Sequence, residues 1–502
     1  MDQFFEIPLS HDGAPRSRTR SFTNQLKAAI LDGRLRPGTK LPPTRKAPQF
    51  FGVSRNTAAA IYDQLLSGGY VVMRHGSGTY VADAVPRVKA RSKTERAPDF
   101  RFNDFWIRPD ITAAMGFWQD ATNDVAVRAA QSIDFRPALI DARLFPFDVF
   151  RRVTSKQLRA LERKPSALKS PQGNQGNYRL RKAIVEHIAL TRAVACEADD
   201  VIVTSGAQQA FDLLARVLVT SGETTVAVED PGYPPMRVAF AAAGARLVPV
   251  PVDEEGLIVE KIPADVKVIC LSPSHHFPLG MTTSVRRRKA LVAFARANGA
   301  VIVEDDYDGE FRYAGGAMEA LRTAEAADVV FYVGTFSKCM LPSFRMGFLV
   351  APDWAIRTLV AAKNCMDWHC ATPVQIGIAG FIGEGHLARH VRKMRQVYRQ
   401  RRQVLLQSLK EQLGKWLEPL PSFYGTHVSA LARGDLDCDV LTASLEKKNI
   451  KIHSLSRYFL GRKTMRGLVF GYGAVDVDQI VEGVKTVKKA IVRQLQDSGR
   501  SR

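Results

Sequence analysis

Gly334-Thr335-Phe336-Ser337-Lys338-Cys339-Met340-Leu341-Pro342-Ser343-Phe344-Arg345 follows the apolar run Val329 to Val333, which reads as a buried strand. The lysine thus stands on the loop just after a strand. There, burial and neighbouring positive charge can lower an amine's pKa and make it a Schiff-base nucleophile. Arg345 suits a phosphate, with the hydroxyls of Thr335 and Ser337 as donors. Taken alone the stretch is ordinary, because a loop lysine is usually just solvated.

Upstream, Val301-Ile302-Val303-Glu304-Asp305-Asp306-Tyr307 is an apolar strand running into acids and a tyrosine. A pyridoxal 5'-phosphate site needs a lysine for the imine. It also needs a carboxylate that keeps the pyridine nitrogen protonated and a phenol or amide on the ring hydroxyl. Asp305 and Tyr307 lie two apart, so at strand period both can face one side. Without the lysine loop, acids capping a strand end would explain the cluster equally well.

Glu229-Asp230-Pro231-Gly232-Tyr233, Ser272-Pro273-Ser274-His275-His276-Phe277-Pro278-Leu279-Gly280, the run Glu304 to Tyr313, and Gly334 to Lys338 occur in that order. In this the chain resembles the MocR/GabR group of regulators, over nearly its whole length. In that group a GntR-type winged helix-turn-helix is fused to a domain like the fold-type I aminotransferases.

The resemblance implies that Lys338 holds the cofactor, Asp305 pairs with the pyridinium, Tyr307 reaches the ring oxygen and Tyr233 stacks on the ring. It implies a phosphate cup from Ala207, Gln208, Thr335, Ser337 and Arg345. His276 stands where many members have a glutamine, so an imidazole must do what an amide did there. Arg237 resembles a ligand-contacting arginine. Gly467 to Tyr472, where a second carboxylate anchor is expected, contains no arginine, and Arg466 sits just before it. No metal is expected, because adjacent residues such as His275 and His276 face opposite ways on extended chain.

The chain has 502 residues, enough for two or three domains. Lys plus Arg is 71 against Asp plus Glu at 50, a net charge of +21 that favours polyanion partners or, more simply, a solvated basic surface. Six scattered cysteines read as reduced thiols in a cytoplasm. No signal peptide and no membrane span are expected.

Residues 15–82 read as the DNA-binding head. Ser21 or Thr23 is expected to cap a helix with Phe22, Leu26 and Ile30 on one face. A second short helix follows Pro42-Pro43-Thr44, with Pro48 inside it. Ser54 caps a third helix, Arg55 to Ser67, with Ala59, Tyr62, Leu65 and Leu66 inward. Tyr70 to Met73 and Thr79 to Val81 form a hairpin wing. A third helix of this kind enters the major groove of double-stranded DNA by its N-terminal residues. Arg55 and Asn56 suit base edges; Arg45, Ser54, Thr57, Arg74, His75 and Gly76 suit the backbone. The phrases Leu41 to Arg45, Gly52 to Thr57 and Gly76 to Val81 resemble the GntR signature. A helical protein-contact module is the plainer alternative.

Residues 83–131 read as a linker, basic at Lys89, Arg91, Lys93, Arg96 and Arg101. Phe102, Phe105, Trp106, Phe117 and Trp118 are too apolar for a free tether, so parts of it are expected to dock on the large domain. Residues 132–495 read as an α/β domain with a mostly parallel central sheet. Val201 to Thr204 is a strand, and Ser205-Gly206 turns into a helix Ala210 to Val219. His386 to Arg402 reads as a helix with Leu387, Val391, Met394 and Tyr398 inward and a basic outer face, either solvated or a second DNA surface. Asp497 to Arg502 reads as a frayed tail.

The function expected is a DNA-binding transcriptional regulator. It would sense an amine or amino-acid effector, or pyridoxal phosphate itself, by aldimine exchange, as a homodimer that is possibly head-to-tail. A working aminotransferase carrying a DNA-binding domain is the alternative, and a large domain serving only for dimerisation is a further one.

Overall fold

A computed structural model describes residues 15–83, 103–112, 114, 132–163, 173–313 and 319–500. The chain divides into two compact units, residues 1–101 and 102–502.

In the first unit α1 spans Pro15–Leu31. It starts ahead of both residues expected to cap it. Ser21 and Thr23 lie inside the helix, and the Thr23 hydroxyl donates back to the Thr19 carbonyl at 2.8 Å, so it needs no helix end. Phe22, Leu26 and Ile30 are buried as their spacing requires. The short α2, Ala47–Phe51, carries Pro48 in its first turn, where a missing N–H costs nothing.

The third helix, α3 (Arg55–Ser67), is capped by Ser54. That residue is extended (φ −62°, ψ 156°) and accepts from the Thr57 amide at 3.1 Å. Its buried face is Ala58, Ile61, Tyr62 and Leu65. Ala59 and Leu66 had been placed inward by the sequence. Each lies one residue, about 100°, round the helix from that stripe, and Leu66 is exposed. Strands β1 (Val71–Arg74) and β2 (Gly78–Val81) pair antiparallel with Arg74 opposite Gly78. Gly76 closes the turn at φ +70°. Removing the cap through Ser54→Ala is expected to lower the stability of this unit by about 1 kcal/mol, read from urea unfolding followed by far-UV dichroism.

The second unit begins with described linker residues. A 3-10 turn at Asp104–Ile107 contains Phe105 and an exposed Trp106, and Ile111 is buried. The basic residues Lys89 to Arg101, with Phe102, Phe117 and Trp118, lie outside the described residues.

Next comes β3 (Ile133–Asp134). The large sheet is built from β4 (Val201–Thr204), β5 (Thr225–Asp230), β6 (Arg246–Asp253), β7 (Gly256–Leu257), β8 (Val266–Leu271), β9 (Val301–Asp306), β10 (Val330–Thr335) and β11 (Gly347–Val350). Their order is β4-β11-β10-β9-β8-β5-β6-β7. The centre, β6 to β10, is parallel, while β11 runs against both β10 and β4 and β7 runs against β6. Central strands such as Val226-Ala227-Val228 are apolar without alternation because both faces are covered.

A second sheet orders β12 (Leu417–Pro419), β13 (His427–Ala432), β16 (Gly467–Gly471) and β15 (His453–Ser454), while β14 (Ile450–Lys451) pairs with β3.

Two helix limits differ from the sequence reading. The helix after β4 spans Ala207–Leu218, three residues earlier than expected, because Gly206 at φ +80° turns the chain at once. The last helix, Val477–Arg500, runs through Asp497, where an Arg493–Asp497 pair at 4.0 Å bridges one turn. The helix His386–Ser408 buries Leu387, Val391, Met394 and Tyr398. Arg389, Arg392, Lys393 and Arg399 are exposed on it, whereas half-buried Arg395 donates to the Glu310 carbonyl at 2.5 Å.

Candidate functional site

Parallel pairing sets Asp305 on β9 opposite Val333 on β10, so both strands end at the same edge. Their loops then bring residues 305–308 towards 335–338, as expected at the carboxyl ends of an open α/β sheet.

Lys338 is buried, and its Nζ donates to the Ala138 carbonyl at 2.6 Å. Burial pulls its pKa down to about 8; Asp308 and Asp305 oppose this, and Arg345 adds to it. An amine so placed gives up its proton far more readily than a solvated lysine, which favours the neutral form a nucleophile requires. The sign of the linkage follows. The unfolded lysine, near 10.5, holds its proton when the folded one has lost it, so stability contributed by this group rises between pH 8 and 10.5. Below pH 8 the buried cation costs roughly 3 kcal/mol. Lys338→Met is therefore expected to stabilise the cofactor-free protein at pH 7, with the gain shrinking towards pH 10, as urea unfolding at several pH values will show.

Ala138 sits in the left-handed region at φ +69°, a strained conformation for a residue with a Cβ. It lies directly beneath the lysine amine.

Asp305 is fully enclosed, and its Oδ1 has no protein partner among the described residues. Burial first, then Asp306 and Asp308, push its pKa well up. A buried carboxylate oxygen without a donor is costly, and a ring N–H or cation would satisfy it.

Tyr307 Oη lies 2.9 Å from His275 Nδ1. Tyr233 stands at the start of the helix Pro234–Ala242, half-buried and edge-on to Phe277 with ring centroids 5.5 Å apart.

β4 ends at the same edge, with Thr204 opposite Gly347 on β11 and Gly347 opposite Thr335 on β10. Gly206 leaves the first turn of Ala207–Leu218 without a side-chain cap, so the amides of Ala207 and Gln208 face outward with the helix dipole. The Gln208 side chain turns to the Pro235 carbonyl at 3.1 Å, so what it offers is its backbone N–H. Arg345, at φ +46°, donates to the Ser205 carbonyl at 2.8 Å. A Cβ on Gly206 would come within 3.2 Å of Arg345 Nη2. Thr335 Oγ1 bonds Ser337 Oγ at 3.0 Å and accepts from the Ser337 amide at 3.1 Å.

His276 and Arg237 are both buried. His276 is enclosed and its Nδ1 accepts from the Leu279 amide at 3.4 Å. Its Nε2 stands 3.8 Å from Glu229 without a hydrogen bond. Burial lowers its pKa to about 3, so it is a neutral imidazole. The imidazole that meets Tyr307 is that of His275, one residue earlier. Arg237 is buried with Nη1 on the Tyr458 carbonyl at 2.7 Å, and burial lowers its pKa to about 10. On β16, Leu468, Val469 and Phe470 are all buried, and Arg466 turns outward to the Gly434 carbonyl at 2.7 Å.

Among the described residues, His275, Asp308 and His427 form the one group whose metal-ligating atoms lie within 4.8 Å of one another. His275 Nδ1 is 3.0 Å from Asp308 Oδ1, and a Cβ on Gly425 would overlap both side chains, so direct hydrogen bonding and that backbone fill the space between them. Sequence reasoning missed Asp308, His275 and His427. His427 lies about 120 residues from the nearest of the others, and no local spacing links them.

In the first unit, Ser54, Arg55 and Asn56 at the start of α3 are exposed, with Thr57 half-exposed beside them. Arg45, Arg74, His75 and Gly76 are exposed too. Arg74 is partly engaged, 3.6 Å from Asp83 and stacked 4.9 Å over Tyr80.

Fold and site together define a pyridoxal-phosphate-binding, aminotransferase-like domain joined to a winged helix-turn-helix. Residues 144–428 match the family "Aminotransferase class I and II", and residues 20–81 match "Bacterial regulatory proteins, gntR family". The chain is 32% identical over 482 residues to the probable rhizopine catabolism regulatory protein MocR of Rhizobium meliloti, covering 96% of this chain and 94% of that one. It is 29% identical over 480 residues to the pyridoxine biosynthesis transcriptional regulator PdxR of Corynebacterium glutamicum, covering 95% and 96%. The structure of Pyrococcus horikoshii kynurenine aminotransferase aligns with a TM-score of 0.66 at 25% identity, over 79% of this chain and 96% of that one.

This chain belongs to the MocR-type transcriptional regulators of the GntR family, with pyridoxal 5'-phosphate as the cofactor of its large domain. Among the described residues, no helix is long and apolar enough to cross a membrane.

Proposed function

We propose that the large domain is a sensor for a small amine or amino acid, or for pyridoxal phosphate itself, and that it sets the DNA affinity of the winged head. The observation that carries this is the buried pair of opposites at one sheet edge. Lys338 is an enclosed amine whose pKa burial lowers to about 8, and Asp305 is an enclosed carboxyl group whose Oδ1 has no protein partner among the described residues. An amine and a carboxyl group at one sheet edge support a pyridoxal site, in a chain that also carries a GntR-type head.

When bound, the cofactor supplies an aldehyde that condenses with amines. Lys338 anchors it, and an effector amine competes for that attachment. Asp305 accepts from the ring nitrogen, Tyr307 meets the ring oxygen, and Tyr233 covers the ring. Ala207, Gln208, Thr335, Ser337 and Arg345 hold the phosphate. Arg237, four residues after Tyr233, is the proposed partner for an effector carboxylate. An effector biases the regulator only through its different affinity for two states of the large domain.

The domains run 15–82, 83–131 and 132–495, and the protein acts as a cytoplasmic homodimer on a duplex operator. Arg45, Ser54, Arg55, Asn56, Thr57, Arg74, His75 and Gly76 form the DNA-facing set.

The test titrates purified protein with pyridoxal phosphate and then with candidate amines, following the visible band, with footprinting of the operator region in parallel. A band that amines perturb together with a changed footprint supports the reading. A protein that stays colourless sinks it, and steady turnover of amino donor and keto acid would make it an enzyme instead.

A further inference from the structure

We infer that His275, held by Asp308, is a positioning residue that fixes where the Tyr307 phenol points its proton; this rests on the cofactor reading above. The His275 ring is buried, and its Nδ1 faces three oxygens at hydrogen-bond distance. Two are those of Asp308, at 3.0 and 3.1 Å, and the third is Tyr307 Oη at 2.9 Å. One ring nitrogen carries at most one proton. A bare lone pair at Nδ1 would sit against both carboxylate oxygens, which is repulsive. The proton therefore resides on Nδ1, directed at Asp308 and shared with the phenol oxygen.

Tyr307 Oη then accepts from His275, and its own proton is left to be donated elsewhere. Burial keeps that phenol protonated, pushing its pKa well up. Its free direction is the cofactor ring oxygen, which the Tyr307 assignment places beside it. A donor at that oxygen stabilises its anionic form.

The surroundings lock the ring in place. His275 Nε2 meets Ser422 Oγ at 3.3 Å. The rings of His427 and Tyr424 stand 5.0 and 6.2 Å from the imidazole, and the Tyr307 ring stacks at 5.7 Å. Gly425, at φ +74°, packs so close to His275 and Asp308 that no side chain fits there. The titratable groups facing His275 are thus Asp308, Tyr307, His427 and Tyr424, with His276 next in the chain.

The experiment uses the full chain loaded with pyridoxal phosphate and reads the pH midpoint of the cofactor's visible absorption. His275→Phe removes the Nδ1 donor and is expected to raise the midpoint by about one pH unit, a tenfold change in proton affinity. His275→Asn keeps an N–H at nearly the same place and is expected to return the midpoint to within a few tenths of wild type. His275→Leu also lacks the Nδ1 donor and leaves the Asp308 charge in place; it should move the midpoint upward as His275→Phe does, and it keeps the test alive if the phenylalanine variant fails to fold. In a Tyr307→Phe background, His275→Phe should add no further shift, because the two act through one proton.

A midpoint unmoved by both His275→Phe and His275→Leu in cofactor-loaded protein overturns the inference. So does a His275→Phe shift that persists undiminished without the Tyr307 hydroxyl. No band in wild-type protein would instead overturn the cofactor reading itself.

Discussion

Lys338→Ala should abolish the visible band of protein mixed with pyridoxal phosphate and leave nothing for borohydride to fix, while operator affinity without effector stays within about twofold. The size of the effect follows from covalency: without the amine no bond to the aldehyde forms, and neighbouring groups cannot substitute. Among the described residues one other lysine, Lys363, is fully buried, but it is held by Asp367 at 2.6 Å and lies next to Cys370. Peptide mapping of the reduced adduct on wild-type protein should therefore find the label at Lys338 and not at Lys363. Operator affinity is spared because Lys338 belongs to the 102–502 unit and α3 to the other. A band that survives the substitution would remove the lysine from its assigned role.

The mirror-image result is expected for Arg55→Ala: cofactor binding intact, operator binding weakened. Arg55 follows the Ser54 cap at the exposed start of α3, the end that enters the major groove in this class of reader. A bidentate arginine–guanine contact contributes about 1–3 kcal/mol, so the loss should be roughly 5- to 150-fold in dissociation constant, with specificity relaxed at one base position. If Arg55 touches phosphate instead, the loss will be uniform across sequences and the salt dependence shallower. Arg74 is expected to matter less, since its guanidinium is partly taken up by Asp83 and the Tyr80 ring. Measuring affinity at two salt concentrations on specific and scrambled duplexes separates these outcomes. Unchanged affinity everywhere would leave α3 without its reading role.

Much of the framework was legible because its signals are local. Val301 to Val303 and Val330 to Val333 announce buried parallel strands by unbroken apolar runs. Pairing those strands is what brings Asp305 and Lys338 to one edge. The errors came where a local rule has two solutions. Ala59 and Leu66 differ from the true buried stripe of α3 by one residue, and periodicity over 13 residues separates the two poorly. The start of α1 was hidden because Ser and Thr suit a helix end and also tolerate an interior when they bond back to the preceding turn. In the irregular stretch 272–280 no period marks His275, and its contact with Tyr307 becomes visible only in three dimensions. Asp308 read as one more acid in a run. His427, contributed by a separate sheet, has no sequence neighbour that betrays it.

The Pro278 carbonyl accepts from both His427 Nε2 at 3.0 Å and Ser429 Oγ at 2.7 Å, so the stretch bearing His275 is riveted to β13. A displacement of the C-terminal sheet against the larger one would therefore be passed to that stretch, and with it to the imidazole on Tyr307. On the proposed Tyr307 contact, the tint of the bound coenzyme is then expected to act as a strain gauge for lobe displacement, responding to mechanical position as well as to chemical occupancy.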